Sequence, residues 1–195
     1  MGATNFAHAL KFVETYVGQT YDDLSIMSIH FYSNTYQEYA NYGNNRADLL
    51  NLIQNKGYPG GGTLTGMAIN QTIARVAAAN YPNGVPKIIV ILTDGISYDN
   101  VFYAAEYARS LGITMFCVGI GAGANPAQLL QIAGTSSNVL YITAYNTLEK
   151  LAYLIENYFC KQIVDVNLYE VIYGNVVRVT TSPNYYRVAR STNSS

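Results

Sequence analysis

The stretch Lys87-Ile88-Ile89-Val90-Ile91-Leu92-Thr93-Asp94-Gly95 decides how this chain folds. Its apolar core is short, dominated by β-branched residues and free of polar alternation, which is the pattern of a strand covered on both faces. A break at residues 81–86 precedes it, and Asp94-Gly95 turns the chain at its end. A strand of this kind belongs to a parallel sheet between two helical layers, so the flanking sequence has to supply helices.

It does so on both sides. Residues 64–80 read as an alanine-rich helix and 99–111 as another; a strand follows at 113–119, a helix opened by Pro126 at 126–133, a strand at 139–143 and a last helix at 147–159. Upstream, 4–17 form a helix with Phe6, Leu10, Val13 and Val17 on one face and Thr4 or Asn5 as its cap. Residues 24–33 read as a strand that Asn34-Thr35 turns into a second, 36–40, making a hairpin. A helix at 46–55 turns Leu49, Leu50 and Ile53 inward, and 57–62 form a glycine-rich loop. The expected fold is α/β: a doubly wound, mostly parallel, Rossmann-like sheet flanked by helices, with a short C-terminal β extension. Helical periodicity is lost after Lys161. Residues 1–162 are expected to form one domain, and 163–195, with apparent strands at 164–171 and 176–181 and a disordered end, a β-rich extension or the opening of a second domain.

Composition narrows the function. The 195 residues carry only 12% charged side chains and a net charge of -1, with the Lys and Arg residues scattered, which excludes an electrostatic footprint for nucleic acid. No apolar run reaches the length of a membrane-spanning helix. There are 19 tyrosines and no tryptophan. Cys117 lies in an apolar run and reads as a small buried strand residue, whereas Cys160 ends a helical pattern at a position a disulfide partner can reach. Pairing the two is poor in geometry, a core strand against a helix end.

Ligands of open parallel sheets bind at the carboxyl ends of the strands. Two segments converge there: Gly60-Gly61-Gly62-Thr63-Leu64-Thr65-Gly66, entering a helix, and Ile91-Leu92-Thr93-Asp94-Gly95, where a buried strand ends in a carboxylate. Hydroxyl and carboxylate oxygens on loops suit a hard divalent cation such as Mg2+, which takes few protein ligands and keeps positions open for water or a partner's carboxylate.

These residues resemble the von Willebrand factor type A domain, the inserted domain of integrins. The likeness spans about residues 2–160 and rests on Gly62-Thr63-Leu64-Thr65 ahead of a helix, Ile-Leu-Thr-Asp-Gly at 91–95 with Asp99-Asn100-Val101 after it, Phe116-Cys117-Val118-Gly119-Ile120-Gly121, and Asn5-Phe6 at the start of the first helix. The resemblance implies an extracellular or secreted, non-enzymatic adhesion module that binds a protein or glycan ligand, including extracellular matrix, through a metal-ion-dependent adhesion site. Its threonine and aspartate ligands map to Thr63 and Asp94. The family's first loop, Asp-x-Ser-x-Ser after a central strand, has no counterpart, and Met1-Gly2-Ala3-Thr4-Asn5-Phe6 is similar to the sequence that follows that loop. The chain is therefore expected to be truncated before or within the loop, with Mg2+ bound weakly or not at all. The neighbours of the missing strand are then expected to close up, borrow the C-terminal β segment or stay marginal. A cysteine in the missing stretch is the implied partner of Cys160.

Other readings stand beside these. Thr63 can equally cap the helix after it, while Asp94, ending an apolar strand, needs a partner of some kind. His8 and His30 read as surface or satisfied packing residues, since no ligand lies at metal spacing. Thr63 stands where a phosphate-binding loop needs lysine, and Gly119-Ile120-Gly121-Ala122-Gly123 lacks the spacing of a dinucleotide fingerprint, so it reads as a tight turn. Tyr32, Tyr36, Tyr39 and Tyr42 around the hairpin form either an adhesive surface or a compositional bias. Ser, His and Asp form no recognisable catalytic motif. The alternative functions are a metal-independent binding module with Tyr-rich loops, a nucleotide enzyme at 119–123, and a non-functional fragment.

Overall fold

The computed structural model describes residues 1–20, 27–40, 45–79, 86–145, 152, 171–172, 175–176, 179–182 and 185–187. Within it, β3 (Lys87–Thr93), β4 (Ile113–Ile120) and β5 (Val139–Ile142) form a parallel sheet in the order β3-β4-β5. The register runs from Lys87 opposite Ile113 to Thr93 opposite Gly119, and from Cys117 opposite Val139 to Ile120 opposite Ile142. Three helices precede these strands, α1 (Ala3–Thr20), α2 (Arg46–Gln54) and α3 (Thr65–Ala78), and two connect them, α4 (Val101–Ser110) and α5 (Pro126–Ala133).

The pleat sends alternate residues of β4 to opposite sides. Met115 and Cys117 join Ile89, Ile91, Ile69, Ile73, Ala104, Ala108, Leu129 and Ile132 in a core beneath α3, α4 and α5. Phe116, Val118 and Ile120 pack with Phe12 of α1 and Ile142 on the other face, with Val90 and Leu92 at its margin. Helices thus cover both faces of a parallel sheet, as the expected α/β, Rossmann-like fold requires. The expectation for β3 needs one correction. Ile89, Ile91 and Thr93 are buried, but Val90 and Leu92 are only half-buried and Ile88 is exposed. The fully covered strand is β4, which has a neighbour on each side, whereas β3 pairs with β4 alone among the described residues. An unbroken apolar run cannot distinguish the two.

Helix ends follow local chemistry. Asn45, Asn100 and Asn125 cap α2, α4 and α5 by accepting from backbone N–H groups of the first turn. Pro126 opens α5, and Gly134 closes it in the left-handed conformation, φ 80°. At α1 neither Thr4 nor Asn5 is the cap: the helix begins at Ala3, and Phe6 N–H donates to the Gly2 carbonyl at 2.9 Å. Its far half sets Val17 against Leu49 and Ile53 of α2, with Ile29 at the margin. The helix expected at 99–111 begins at Val101 instead, which frees Asp99 for another task.

The hairpin forms as expected. β1 (Ile29–Tyr32) and β2 (Tyr36–Ala40) are antiparallel, Tyr32 opposite Tyr36. Met27 and Ser28 are not strand, and 21–26 lie outside the described residues, so the expected strand at 24–33 is shorter than its sequence pattern. The hairpin is a sheet of its own. Among the described residues no ladder joins β1 to β3, and the C-terminal strands β6 (Val171–Ile172), β7 (Asn175–Val176), β8 (Val179–Ser182) and β9 (Tyr185–Arg187) pair only with one another. Side chains and a loop make the connection instead: Leu64 N–H donates to the Ser33 carbonyl at 3.1 Å, and Gly62 N–H to Asn34 Oδ1 at 2.8 Å. The single strand expected at 176–181 is divided between β7 and β8. The last helix, apart from helical Ala152, and Cys160 lie outside the described residues.

Candidate functional site

Three loops meet at the carboxyl end of the sheet: 60–64 before α3, 94–100 between β3 and α4, and 121–125 after β4. The first is shaped by glycine. Gly61 has φ 94°, and a Cβ there would lie 2.9 Å from the Ser33 side chain, so only glycine lets the loop pass against the hairpin. The third packs against the second: a Cβ on Gly123 would lie 2.4 Å from the Asp94 carbonyl oxygen, and Gly121 turns the chain at φ 71°. The glycines at 119–123 therefore serve a tight turn and close packing.

Two carboxylates in the middle loop have opposite surroundings. Asp99 accepts from Gly66 N–H at 2.9 Å, from Met67 N–H at 2.6 Å and from the Ser97 hydroxyl at 2.6 Å. Ser97 Oγ in turn accepts from Thr65 N–H at 2.7 Å. Asp99 and Ser97 thus cap α3 from a distant loop, satisfying N–H groups that a helix start leaves without partners. Burial pushes the Asp99 carboxyl up, but the hydrogen bonds from Ser97, Gly66 and Met67 outweigh it and hold its pKa below the usual range.

Asp94 accepts no hydrogen bond from a backbone N–H among the described residues. Its partner is the α-ammonium of Met1, 3.2 Å from Oδ2, with both groups about one-fifth exposed. The Tyr145 hydroxyl, beyond β5, is buried without a hydrogen bond of ordinary geometry. Burial, followed by the neighbouring Asp94 carboxylate, raises its pKa. On the opposite side Tyr32 extends from β1, and Thr65 Oγ1 donates to its hydroxyl at 3.3 Å. Burial pushes that phenol up as well.

Thr63 does not cap α3. Leu64 is the capping residue and gives no side-chain bond, while the Thr63 carbonyl accepts from Tyr98 N–H at 2.9 Å. Its hydroxyl lies 3.6 Å from where a side chain on Gly95 would begin, next to Asp94. Thr63 and Asp94 therefore lie on neighbouring loops and offer a hydroxyl and a carboxylate of the kind a hard cation takes, with the Met1 α-ammonium competing for Asp94 Oδ2. No cluster of three or more His, Cys, Asp or Glu exists among the described residues. A metal here would depend on hydroxyl and water oxygens.

The other candidates resolve differently. His30 is a satisfied residue: Nε2 is 2.6 Å from Ser28 Oγ and Nδ1 is 2.6 Å from the Tyr36 hydroxyl, which reaches Thr72 Oγ1 at 3.3 Å. Ser28, His30, Tyr36 and Thr72 thus form a chain of contacts that ties the hairpin to α3. His8 Nδ1 is buried without a partner. Tyr32 and Tyr36 turn inward and so are not an adhesive surface; Tyr39 and Tyr42 lie beyond what is described for side chains. Cys117 is a buried free thiol whose pKa burial pushes up to about 12. Sequence reasoning missed Asp99 as a cap because it sits directly before Asn100, the residue that caps its own helix.

Comparison with known proteins follows the same outline. Mouse vitrin is 28% identical over 172 residues, which is 83% of this chain and 26% of vitrin. Human collagen alpha-1(XXI) chain is 32% identical over 162 residues, 82% of this chain and 16% of that one. The chain thus spans about a quarter or less of these relatives. A structure of proximal thread matrix protein 1 from the mussel byssus superposes with TM-score 0.74 at 22% identity, over 82% of this chain and 43% of that one. Another structure of the same mussel protein has zinc in its MIDAS motif, with TM-score 0.71 at 23% identity, over 82% of this chain and 44% of that one. The sequence profile of the von Willebrand factor type A domain matches residues 1–154, and the chain belongs to that family.

Proposed function

We propose that this chain is an extracellular, non-enzymatic binding module that engages a protein or glycan partner through the carboxyl end of its sheet. Vitrin, the collagens and matrilin-1 are extracellular matrix adhesion proteins, which supports a matrix partner and a secreted location. No helix among the described residues is long and apolar enough to cross a membrane.

In this reading Thr63 and Asp94 hold a divalent cation, of which Mg2+ is the natural candidate, and hold it weakly. The cation supplies open coordination positions for a carboxylate or hydroxyl of the partner. One carboxylate and one hydroxyl are few ligands for a dication, and no Asp-x-Ser-x-Ser motif occurs in the 195 residues to add to them. The observation that carries the proposal is the state of Asp94, a partly buried carboxylate at a strand end that accepts from no backbone N–H among the described residues. Titration calorimetry with Mn2+ and Mg2+ tests it. Weak binding that disappears in Asp94→Ala is the expected result; tight binding that survives the substitution contradicts it.

A second reading is favoured by the loop after Asp94, where Ile96 is 51% and Tyr98 82% exposed. Such a rim binds a partner without metal, and partner capture unaffected by a chelator is the result that selects it.

A further inference from the structure

One motif in the sequence has no part in the site at the carboxyl end of the sheet. Asn70-Gln71-Thr72 fits the acceptor pattern for an N-linked glycan, Asn-x-Ser/Thr with x other than proline; Asn193-Ser194-Ser195, outside the described residues, is the other match in the chain. Three residues match often by chance, so the place of the asparagine in the fold matters more than the pattern. Asn70 lies on α3, on the side turned from the core. Gly66, Ala68, Ile69 and Ile73 are buried, whereas Asn70, Gln71, Ala74 and Arg75 are exposed. The Asn70 amide bonds to no described residue. One turn on, Ala74 sets only a methyl group beside it, so a first sugar meets no bulky neighbour there. The chain is also short of charge: 12% of its residues are charged, about half the usual share, and the net charge is -1. A glycan hydrates such a surface without adding charge.

Thr72 points elsewhere. Residues two apart on a helix do not share a face, and Thr72 is half-buried with its hydroxyl 3.3 Å from that of Tyr36, where the hairpin is tied to α3. The folded helix thus presents the amide and withdraws the hydroxyl that the transferring enzyme has to read with it. We infer that Asn70 is an N-glycosylation site, modified while residues 70–72 are still unfolded and before the hairpin closes on Thr72; this rests on the extracellular reading above. The donor is an oligosaccharide linked to a lipid diphosphate. Asn70 Nδ2 bonds to the anomeric carbon of the first sugar, the bond from that carbon to the diphosphate oxygen breaks, the amide gives up one proton, and the lipid diphosphate leaves. Folding then turns Thr72 inward and leaves the glycan in solvent.

The test is expression of the full chain behind a cleavable secretion leader in cultured animal cells, then digestion with peptide:N-glycosidase in heavy-oxygen water and peptide mass mapping of both medium and cell extract. The expected result is loss of a glycan's mass on digestion, with position 70 recovered as a heavy-oxygen-labelled aspartate. Asn70→Gln should lose that mark; Thr72→Ser should keep it and Thr72→Val should not. Reading the peptide in cell extracts keeps the result valid for a variant that folds poorly. In pulse-labelled cells the glycan should be present before the chain becomes resistant to protease. An unmodified Asn70 in the parent, a glycan confined to Asn193, modification that survives Thr72→Val, or a glycan added only after protease resistance would each overturn the inference. The leader delivers the chain to the secretory pathway whatever its native address, so the two readings fail separately: a modified Asn70 here, with the native protein found inside cells, supports the site and overturns the extracellular reading instead.

Discussion

Asp94 and Asp99 lie in one loop, five positions apart, and their surroundings differ in kind. Asp99 receives three protein hydrogen bonds and closes the start of a helix from another part of the chain. Asp94 receives none of that sort among the described residues, and its neighbours are the Met1 α-ammonium and the Tyr145 phenol. A carboxylate saturated by backbone N–H groups is committed to the fold. One left with open lone pairs at a strand end is available for a ligand. Residue type alone therefore does not mark a site; the partners already in place do.

Substitutions can break this contrast. Asp99→Ala strips the first turn of α3 of two acceptors and is expected to cost about 2 kcal/mol, a melting-temperature drop of roughly 4–8 °C by calorimetry. Ser97→Ala removes a single acceptor from Thr65 N–H and one donor to Asp99, and is expected to cost about 1 kcal/mol. Asp94→Asn should change stability by no more than about 0.5 kcal/mol, because a partly exposed ion pair contributes little. If Asp94→Asn proves as costly as Asp99→Ala, the contrast fails.

Acid sharpens it. The Asp99 pKa is lowered in the folded state, so below its ordinary value the unfolded chain binds more protons than the folded one. Its stabilisation is complete above about pH 5 and fades as pH falls through the folded-state pKa. Urea unfolding across this range should therefore show the gap between the parent and Asp99→Asn closing toward acid. A gap that stays constant with pH would show that ionised Asp99 is not what holds α3.

Much of the fold was legible because its determinants are local. Pro126 announces a helix start by its own chemistry, and the apolar spacing of 64–80 and 126–133 identifies helices whose inner faces are buried. Asp94 follows from where β3 ends, whereas Thr63, on a loop between two helices, was assigned through the family resemblance. What was not legible depends on distance in sequence. Asp99 meets Gly66 across 33 positions, and nothing in Asp99-Asn100-Val101 marks it as the cap of an earlier helix. The half-exposed face of β3 depends on which strands stand beside it, which the run 88–92 does not encode. For the tyrosines at 32 and 36 the sequence left an adhesive surface and a compositional bias both open, and it is Thr65 and His30, distant or across the turn, that draw them inward.

Thermal melts of the parent and Asp94→Asn with and without Mn2+ test the division of labour most directly. A cation that binds only the folded chain raises its melting temperature in proportion to the logarithm of its concentration above the dissociation constant. Expected are equal melting temperatures for the two proteins in chelator and a modest Mn2+-dependent rise in the parent alone. A lower melting temperature for Asp94→Asn in chelator, or an undiminished Mn2+ shift in that variant, would contradict the assignment of Asp94 to ligand binding.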